Sequence, residues 1–113
     1  MSPPRPDRTD RSAATDPELH VVDHPAARRY EARLGDAVAG FSDYRQIGDR
    51  VIFLHTEVDP AFEGRGIGGR LARGALDDIR ARGLRFSVKC PFIAAYLERH
   101  PEYEDLRAIR PRS

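Results

Sequence analysis

The chain has 113 residues, a formal net charge of +1 at pH 7 and a single cysteine. Its length fits one domain, and its small charge argues against a nucleic-acid-binding protein that relies on bulk positive charge. One cysteine excludes an internal disulfide framework and fits a reducing compartment. No apolar run approaches the roughly 20 residues of a membrane span, so no membrane partner is expected. With the cysteine content and the small net charge, we expect a cytoplasmic protein that does not bind nucleic acid.

The N-terminal region differs in composition from the rest. After Met1, residues 2–16 contain no aliphatic side chain larger than alanine. Such a segment buries too little apolar surface to offset the entropy lost on ordering, and it lacks the apolar stretch of a secretory signal peptide. We therefore predict a disordered tail over residues 1–16 and a folded domain over residues 17–113.

The first half of the domain reads as strands. A short strand is predicted from Leu19 to Asp23, and Arg29–Leu34 alternates between apolar and charged residues, which is typical of a half-solvated antiparallel strand. A Gly-Asp pair at residues 35–36 is a hairpin-turn signal. A third strand is predicted over residues 37–44, and a second Gly-Asp pair at residues 48–49 marks the next turn.

Residues 50–58 form the strongest predicted strand. Four consecutive apolar residues, 51–54, indicate a central strand covered on both faces. Polar residues then take over. A period of two places His55 and Glu57 on one face and Thr56 and Val58 on the other.

The second half predicts a crossover. Apolar residues at helical spacing indicate an amphipathic helix from about Gly66 to Arg82, ended by Gly83. A strand over residues 84–89 follows, so the strand–helix–strand unit implies a parallel, right-handed connection. Cys90-Pro91 ends that strand and opens a short helix that reaches Arg99. The expected fold is α+β, with an α/β-type mixed sheet: an antiparallel meander, one βαβ crossover and a short C-terminal helix.

A glycine-rich turn, Gly64-Arg-Gly-Ile-Gly-Gly69, joins the strongest strand to the long helix. A helix start offers unpaired amides and a partial positive charge, which bind phosphate without a lysine. The spacing matches a dinucleotide fingerprint, but antiparallel strands precede it and Lys89 and Cys90 stand where an acidic residue is needed. A Walker A loop is excluded because no Gly-Lys-Ser/Thr is present. The alternative is a turn that only lets the helix pack closely.

This strand–turn–helix segment, after an antiparallel meander, resembles the GNAT acetyltransferase superfamily, with Asp59–Leu71 similar to its acetyl-CoA pyrophosphate motif. Three further segments resemble its small single-domain YjdJ-type branch of N-acetyltransferases: His55-Thr-Glu-Val58, Cys90-Pro-Phe92 and His100-Pro-Glu-Tyr103. The resemblance covers about residues 19–106. One position departs from it, since Glu63 stands three residues before Gly66, where the superfamily usually has Gln or Arg.

The resemblance implies an acetyl-CoA-dependent N-acetyltransferase that moves an acetyl group to an amine of unreadable identity. It also implies that the pantetheine arm pairs with the end of the strongest strand, where a backbone N–H polarises the thioester carbonyl. Arginines beside the turn would add positive charge. The expected cofactor-binding residues are Val58, Arg65, Gly66, Ile67, Gly68, Gly69 and Arg70.

Four residues are candidates for the chemistry. Glu57 is the candidate general base by its position, and His55 on the same face is the alternative. Cys90, at a strand end and a helix start, is a candidate for a covalent acetyl intermediate, or else a small buried apolar residue. Tyr96 falls where larger relatives carry a tyrosine that protonates the thiolate. Its alternative is a core aromatic residue.

Two other readings stay open. A non-catalytic module that binds CoA or an acyl-CoA is favoured by Glu63 and by the sequence before the second strand, where we predict no counterpart of the helical region that shapes the acceptor site in larger relatives. An interaction domain without CoA would make the glycine turn purely structural. No pair of His, Cys or carboxylate residues has a spacing typical of a metal site, so no metal is expected.

Overall fold

The structure, a computed structural model, describes residues 19–108, so the predicted tail over residues 1–16 lies outside the described residues. The predicted order of strands and helices is confirmed. The elements are β1 Leu19–His24, β2 Arg29–Leu34, β3 Ala37–Ile47, β4 Arg50–Val58, α1 Ile67–Ala81, β5 Arg85–Val88 and α2 Pro91–Arg99. Short 3-10 turns, Pro25–Ala27, Pro60–Phe62 and Pro101–Leu106, lie between or after them.

The five strands form one mixed sheet in the order β1-β2-β3-β4-β5. The first four pair antiparallel, and β4 pairs parallel with β5 across the α1 crossover. The α+β fold expected from the sequence is therefore confirmed. Only the turn Pro25–Ala27 separates β1 from β2, so no α-helix precedes β2 within the described chain.

Glycines set both ends of α1. Gly66 is the N-cap, with φ +70°, and Gly83 follows the helix with φ +68°. Both values lie in the left-handed region that favours glycine. Between them the helix turns its apolar side to the sheet and buries Ile67, Leu71, Ala72, Ala75, Leu76 and Ile79.

Both α-helices contribute to one apolar core on one face of the sheet. Three aromatic rings from β2, β4 and β5 line this face, with Tyr30 and Phe86 each 6.3 Å from Phe53 between ring centres. The second helix, α2, adds Ile93 and Leu97 to the same core. We call the other side the open face, because no described α-helix packs on it.

A β-bulge in the β3–β4 pair changes what β4 presents to the core. Asp43 lies opposite His55 and Tyr44 lies opposite Phe53, so Leu54 is an extra residue in β4. A strict period of two would put Phe53 on the same face as His55, but Phe53 is buried in the core and His55 is exposed on the open face. The bulge instead returns Thr56 to the core face. The apolar run is also not covered on both faces, because Leu54 is 42% exposed.

Glu31 is an exception to the expected half-solvated β2. Its side chain is only 3% exposed, although it lies on the open face. It accepts hydrogen bonds from Arg29 and Arg33, both at 2.8 Å, and lies 3.1 Å from His24. Burial alone would raise its pKa, but these hydrogen bonds outweigh burial and lower the pKa to about 2.

Candidate active site

A gap opens where β4 and β5 stop pairing. The parallel ladder ends at Phe53 opposite Val88, and the last hydrogen bond runs from the Lys89 amide to the Phe53 carbonyl at 2.8 Å. The bulge residue Leu54 follows directly, and β4 continues to Val58 with no described strand on that side. Beyond Phe53, therefore, no described strand pairs with this edge of β4.

The backbone of Val58 faces this gap. The next amide, that of Asp59, donates to the Ala39 carbonyl on β3 at 2.8 Å. Because successive amides of a strand point to opposite sides, the Val58 N–H points away from β3. Gly40 keeps β3 close at this point, since a Cβ there would lie 2.8 Å from the Glu57 carbonyl oxygen.

The start of α1 lies beside the end of β4. Gly66 has no side chain to cap the helix, and the first i to i−4 bond runs from the Arg70 amide to the Gly66 carbonyl at 3.1 Å. The amides of residues 67–69 therefore precede the helical ladder. A Cβ on Gly68 would lie 2.6 Å from the Phe92 ring, so α2 closes over this turn.

The charged side chains around the turn take different directions. The Arg65 guanidinium lies 5.4 Å from the Phe62 ring centre, still within the turn. Arg70 reaches towards β1, where its Nη2 lies 3.4 Å from the Leu19 carbonyl, and its buried Nη1 has no hydrogen-bond partner among residues 19–108. Glu63 is exposed, so its carboxylate can remain in solvent.

His55 and Glu57 lie together on the open face, as their spacing predicts. His55 Nε2 is 3.4 Å from Glu57 Oε2, and the side chains are 57% and 63% exposed. A cavity of about 470 Å³ lies beside Glu57, lined by Arg29, Val38, Gly40, Phe41, Glu57, Val58, Asp59 and Pro60. The sequence analysis missed Arg29 and Phe41, since only the strand register brings them to this place.

Cys90 lies on the core side of the gap. It is 1% exposed, and its Sγ donates to Thr56 Oγ1 at 3.3 Å. Thr56 Oγ1 also lies 2.9 Å from the hydroxyl oxygen of the buried Ser42. The thiol and the carboxylate of Glu57 therefore stand on opposite faces of β4. The sequence analysis did not single out Thr56 or Ser42, because the bulge that turns Thr56 inward leaves no signal in the residue pattern.

Tyr96 packs at the far end of α2. Its ring stacks on His100 at 4.1 Å between centres and lies 6.4 Å from Tyr103. Burial raises the pKa of Tyr96, and the positive charge of Arg73 on α1 offsets part of this increase. None of its described ring contacts involves Thr56 or Cys90.

A metal site and a membrane-spanning helix can both be checked directly on the described residues. Over residues 19–108, no group of three or more His, Cys, Asp or Glu residues is placed to hold a metal ion. Neither α-helix of that range is long and apolar enough to cross a bilayer. The candidate site consists of the β4–β5 gap, the start of α1 and the cavity beside Glu57.

Comparison with known proteins identifies relatives of this chain. The sequence model of the GCN5-related N-acetyl-transferases matches residues 29–106. Protein NATD1 of Bos taurus is 38% identical over 69 residues, which are 60% of this chain and 61% of that protein. Protein NATD1 of Danio rerio is 32% identical over 91 residues, 78% of this chain and 83% of that protein. The match to the Bos taurus protein thus spans about three fifths of its length.

A solved structure shares the fold. The NMR solution structure of a GCN5-like protein from Staphylococcus aureus superposes with a TM-score of 0.61 at 18% identity, covering 85% of this chain and 94% of that one. The family match runs from the start of β2 to the end of the last 3-10 turn and includes the gap and the glycine turn. This chain belongs to the GCN5-related N-acetyl-transferase family.

Proposed function

We propose that this protein transfers an acetyl group from acetyl-CoA to an amine, with the acetyl-CoA held in the gap between β4 and β5. Membership of the family supports acyl transfer in general. The observation that carries the finer proposal is the end of the β4–β5 ladder at Phe53 and Val88. Beyond that point β4 has a free edge beside an uncapped helix start.

The binding site is built largely from backbone groups. The amides of residues 65–69 would hold the pyrophosphate, because a helix N-terminus carries about half a positive charge in addition to its unpaired N–H groups. Arg65 lies in the same turn. Arg70 is also expected from the sequence to contact the pyrophosphate, but its side chain extends from the first turn of α1 towards β1, so Arg65 is the better placed of the two arginines. The pantetheine arm would lie along residues 56–58, where Val58 faces the gap.

Glu57 and Val58 would divide the chemistry. The amine attacks the thioester carbonyl carbon, the carbon–sulfur bond breaks and CoA departs as a thiolate. Glu57 takes the proton that the amine loses, and His55, 3.4 Å from it, is the alternative base. The Val58 N–H donates to the oxygen on which negative charge develops.

Cys90 and Tyr96 are the further proposed groups. In the assisted route the Cys90 sulfur attacks the thioester carbonyl carbon, the bond to the CoA sulfur breaks, and the Cys90 proton passes to that departing sulfur. The amine then attacks the acetyl carbonyl carbon on Cys90, the bond to the Cys90 sulfur breaks, and the proton that the amine loses returns to that sulfur. Thr56 is half-buried at the gap and its hydroxyl contacts the Cys90 sulfur. Thr56 therefore links the gap to the buried thiol. Burial raises the pKa of Tyr96, which keeps its hydroxyl protonated at neutral pH, as a donor to the thiolate must be.

The first experiment is a calorimetric titration of the purified chain with acetyl-CoA, with NAD and ATP as controls. Saturable binding to acetyl-CoA alone supports the proposal, and no binding at millimolar ligand contradicts it. Turnover with a panel of amines then separates an enzyme from a non-catalytic CoA-binding module. The module reading is favoured by the burial of Cys90 and by Glu63 at the pyrophosphate motif.

The assisted route has its own test. Cys90→Ala should abolish turnover and preserve acetyl-CoA binding if the thiol carries the acetyl group. Full turnover in that variant would leave direct attack by the amine as the mechanism. Mass spectrometry of the chain after incubation with acetyl-CoA alone would detect the acetylated thiol.

A further inference from the structure

We infer that the acceptor is a small zwitterion, a primary amine that carries a carboxylate, as a free amino acid does. This inference rests on the proposed function, because the acceptor amine must reach Glu57. It goes further by assigning the cavity beside Glu57 as the acceptor site. It also makes Arg29, outside the β4–β5 gap, the residue that recognises the carboxylate.

The cavity has the size and place of such a site. Its volume of about 470 Å³ lies in the range of small-molecule pockets. It lies on the open face at the end of β4, where Glu57 and Val58 both contribute to its lining. An amine bound there would have the proposed base and the backbone beside the gap as immediate neighbours.

The two ends of the cavity carry opposite charges. Glu57 and Asp59 form the acidic end, and one Asp59 oxygen is already held by the Ala61 amide at 2.9 Å. The Arg29 guanidinium forms the basic end and lies 4.6 Å from the centre of the Phe41 ring. Phe41 stands opposite Glu57 in the β3–β4 ladder, so the ring on which Arg29 lies is on the strand next to the carboxylate.

The positive charge of Arg29 is only partly neutralised. Glu31 carries one negative charge but accepts from both Arg29 and Arg33, and also lies beside His24. The described hydrogen bond of Arg29 uses its Nε. Its two Nη groups keep the geometry that binds a carboxylate through paired hydrogen bonds.

This arrangement discriminates among classes of amine. A polyamine would place a second ammonium group near Arg29, where like charges repel. A simple alkylamine would gain nothing from Arg29. A zwitterion pairs its ammonium group with the acidic end before deprotonation and its carboxylate with Arg29, while Phe41 covers the carbon atoms between them.

The test uses the full chain with acetyl-CoA and matched sets of acceptors. Glycine, alanine, serine, methionine and glutamate are compared with their amides and with ethylamine and putrescine. We expect acetylation of free amino acids, and a kcat/KM for the amides that is lower by about 10- to 100-fold, as for the loss of a charge-assisted hydrogen bond. Equal or faster acetylation of the amides or of putrescine would overturn the inference.

Variants locate the effect at Arg29. Arg29→Gln should lower kcat/KM for amino acids by about 10- to 100-fold and leave the value for the amides unchanged, and Arg29→Lys should restore part of the loss. Arg33→Gln is the matched control, because Arg33 also bonds Glu31 but does not line the cavity. An equal loss in both variants would mean that Arg29 acts only through Glu31.

A binding measurement keeps the two proposals separate. Titration of the isotope-labelled chain with the same amino acids and amides, followed by NMR, reads the amides of Val38, Gly40, Phe41 and Val58 without any need for acetyl transfer. Shifts with amino acids but not with amides would support the acceptor site even if acetyl-CoA failed to bind. No shift and no acetylation of any amino acid would overturn the acceptor site, even if acetyl-CoA bound.

Discussion

Glu57 is the side chain whose substitution tests the proposed chemistry most directly. Its carboxylate is exposed and contacts only His55 among the described ion pairs, so Glu57→Gln should fold as the parent does. Turnover should fall by about 100- to 10,000-fold, the usual contribution of a general base, with acetyl-CoA affinity unchanged. His55→Gln is the control, and a larger loss there would transfer the role to the imidazole. Steady-state kinetics and calorimetry on both variants give the answer.

Glu31 is a structural carboxylate, and its effect should depend on pH. Its folded-state pKa is lowered from 4.5 to about 2, so it stabilises the fold above about pH 4.5 and loses that contribution as the pH falls towards 2. Glu31→Gln should lower the free energy of unfolding at pH 7 by about 1–3 kcal/mol, because it weakens the charge-assisted hydrogen bonds that Arg29 and Arg33 donate to this buried side chain. Urea unfolding should show this difference shrink between pH 4.5 and pH 2. A difference that does not vary with pH would contradict the assignment.

The start of α1 and the start of α2 fit together through two adjacent glycines with different surroundings. A Cβ on Gly69 meets nothing within 4 Å, whereas one on Gly68 would lie 2.6 Å from the Phe92 ring. Gly69→Ala should therefore stabilise the fold by about 0.5–1 kcal/mol through helix propensity. Gly68→Ala should lose that gain because the ring must move, and should recover it in a Phe92→Ala background. Equal effects in the parent chain would show that the ring does not pack on Gly68.

The elements were largely predictable from the residues, but the site was not. Periodicity and turn residues predict all five strands and both helices, because burial imposes a period of two or 3.6. The bulge at Leu54 has no such signal. It turns Thr56 towards Cys90. Alternation of apolar and charged residues in β2 also fails to predict that Glu31 is buried. The side chains of Arg29 and Arg33, rather than another layer of structure, shield it from water. The pairing of Arg29 with the Phe41 ring depends on strand register, which a single sequence does not display.

The C-terminal segment, residues 100–108, joins parts of the fold that are distant in sequence. The Ala108 amide donates to the Phe86 carbonyl at 2.7 Å, and Arg107 makes a parallel bridge to Phe86, on β5. The Tyr103 hydroxyl donates to Asp77 on α1 at 2.6 Å. These contacts hold α1, β5 and the end of α2 together at the side of the sheet away from β1.

Substitutions of Tyr103 can measure how strongly the C-terminal segment stabilises the fold. Tyr103→Phe keeps the ring, which is 7% exposed, and removes one hydrogen bond, so the free energy of unfolding should fall by about 1 kcal/mol. Tyr103→Ala also removes the ring beside Tyr96 and should cost about 3–5 kcal/mol. The second loss exceeds the first only if the segment packs as part of the core, rather than lying loosely over it. Urea unfolding of the two variants beside the parent decides this, and similar losses in both would mean that the hydrogen bond to Asp77, and not packing, holds the C-terminal segment in place.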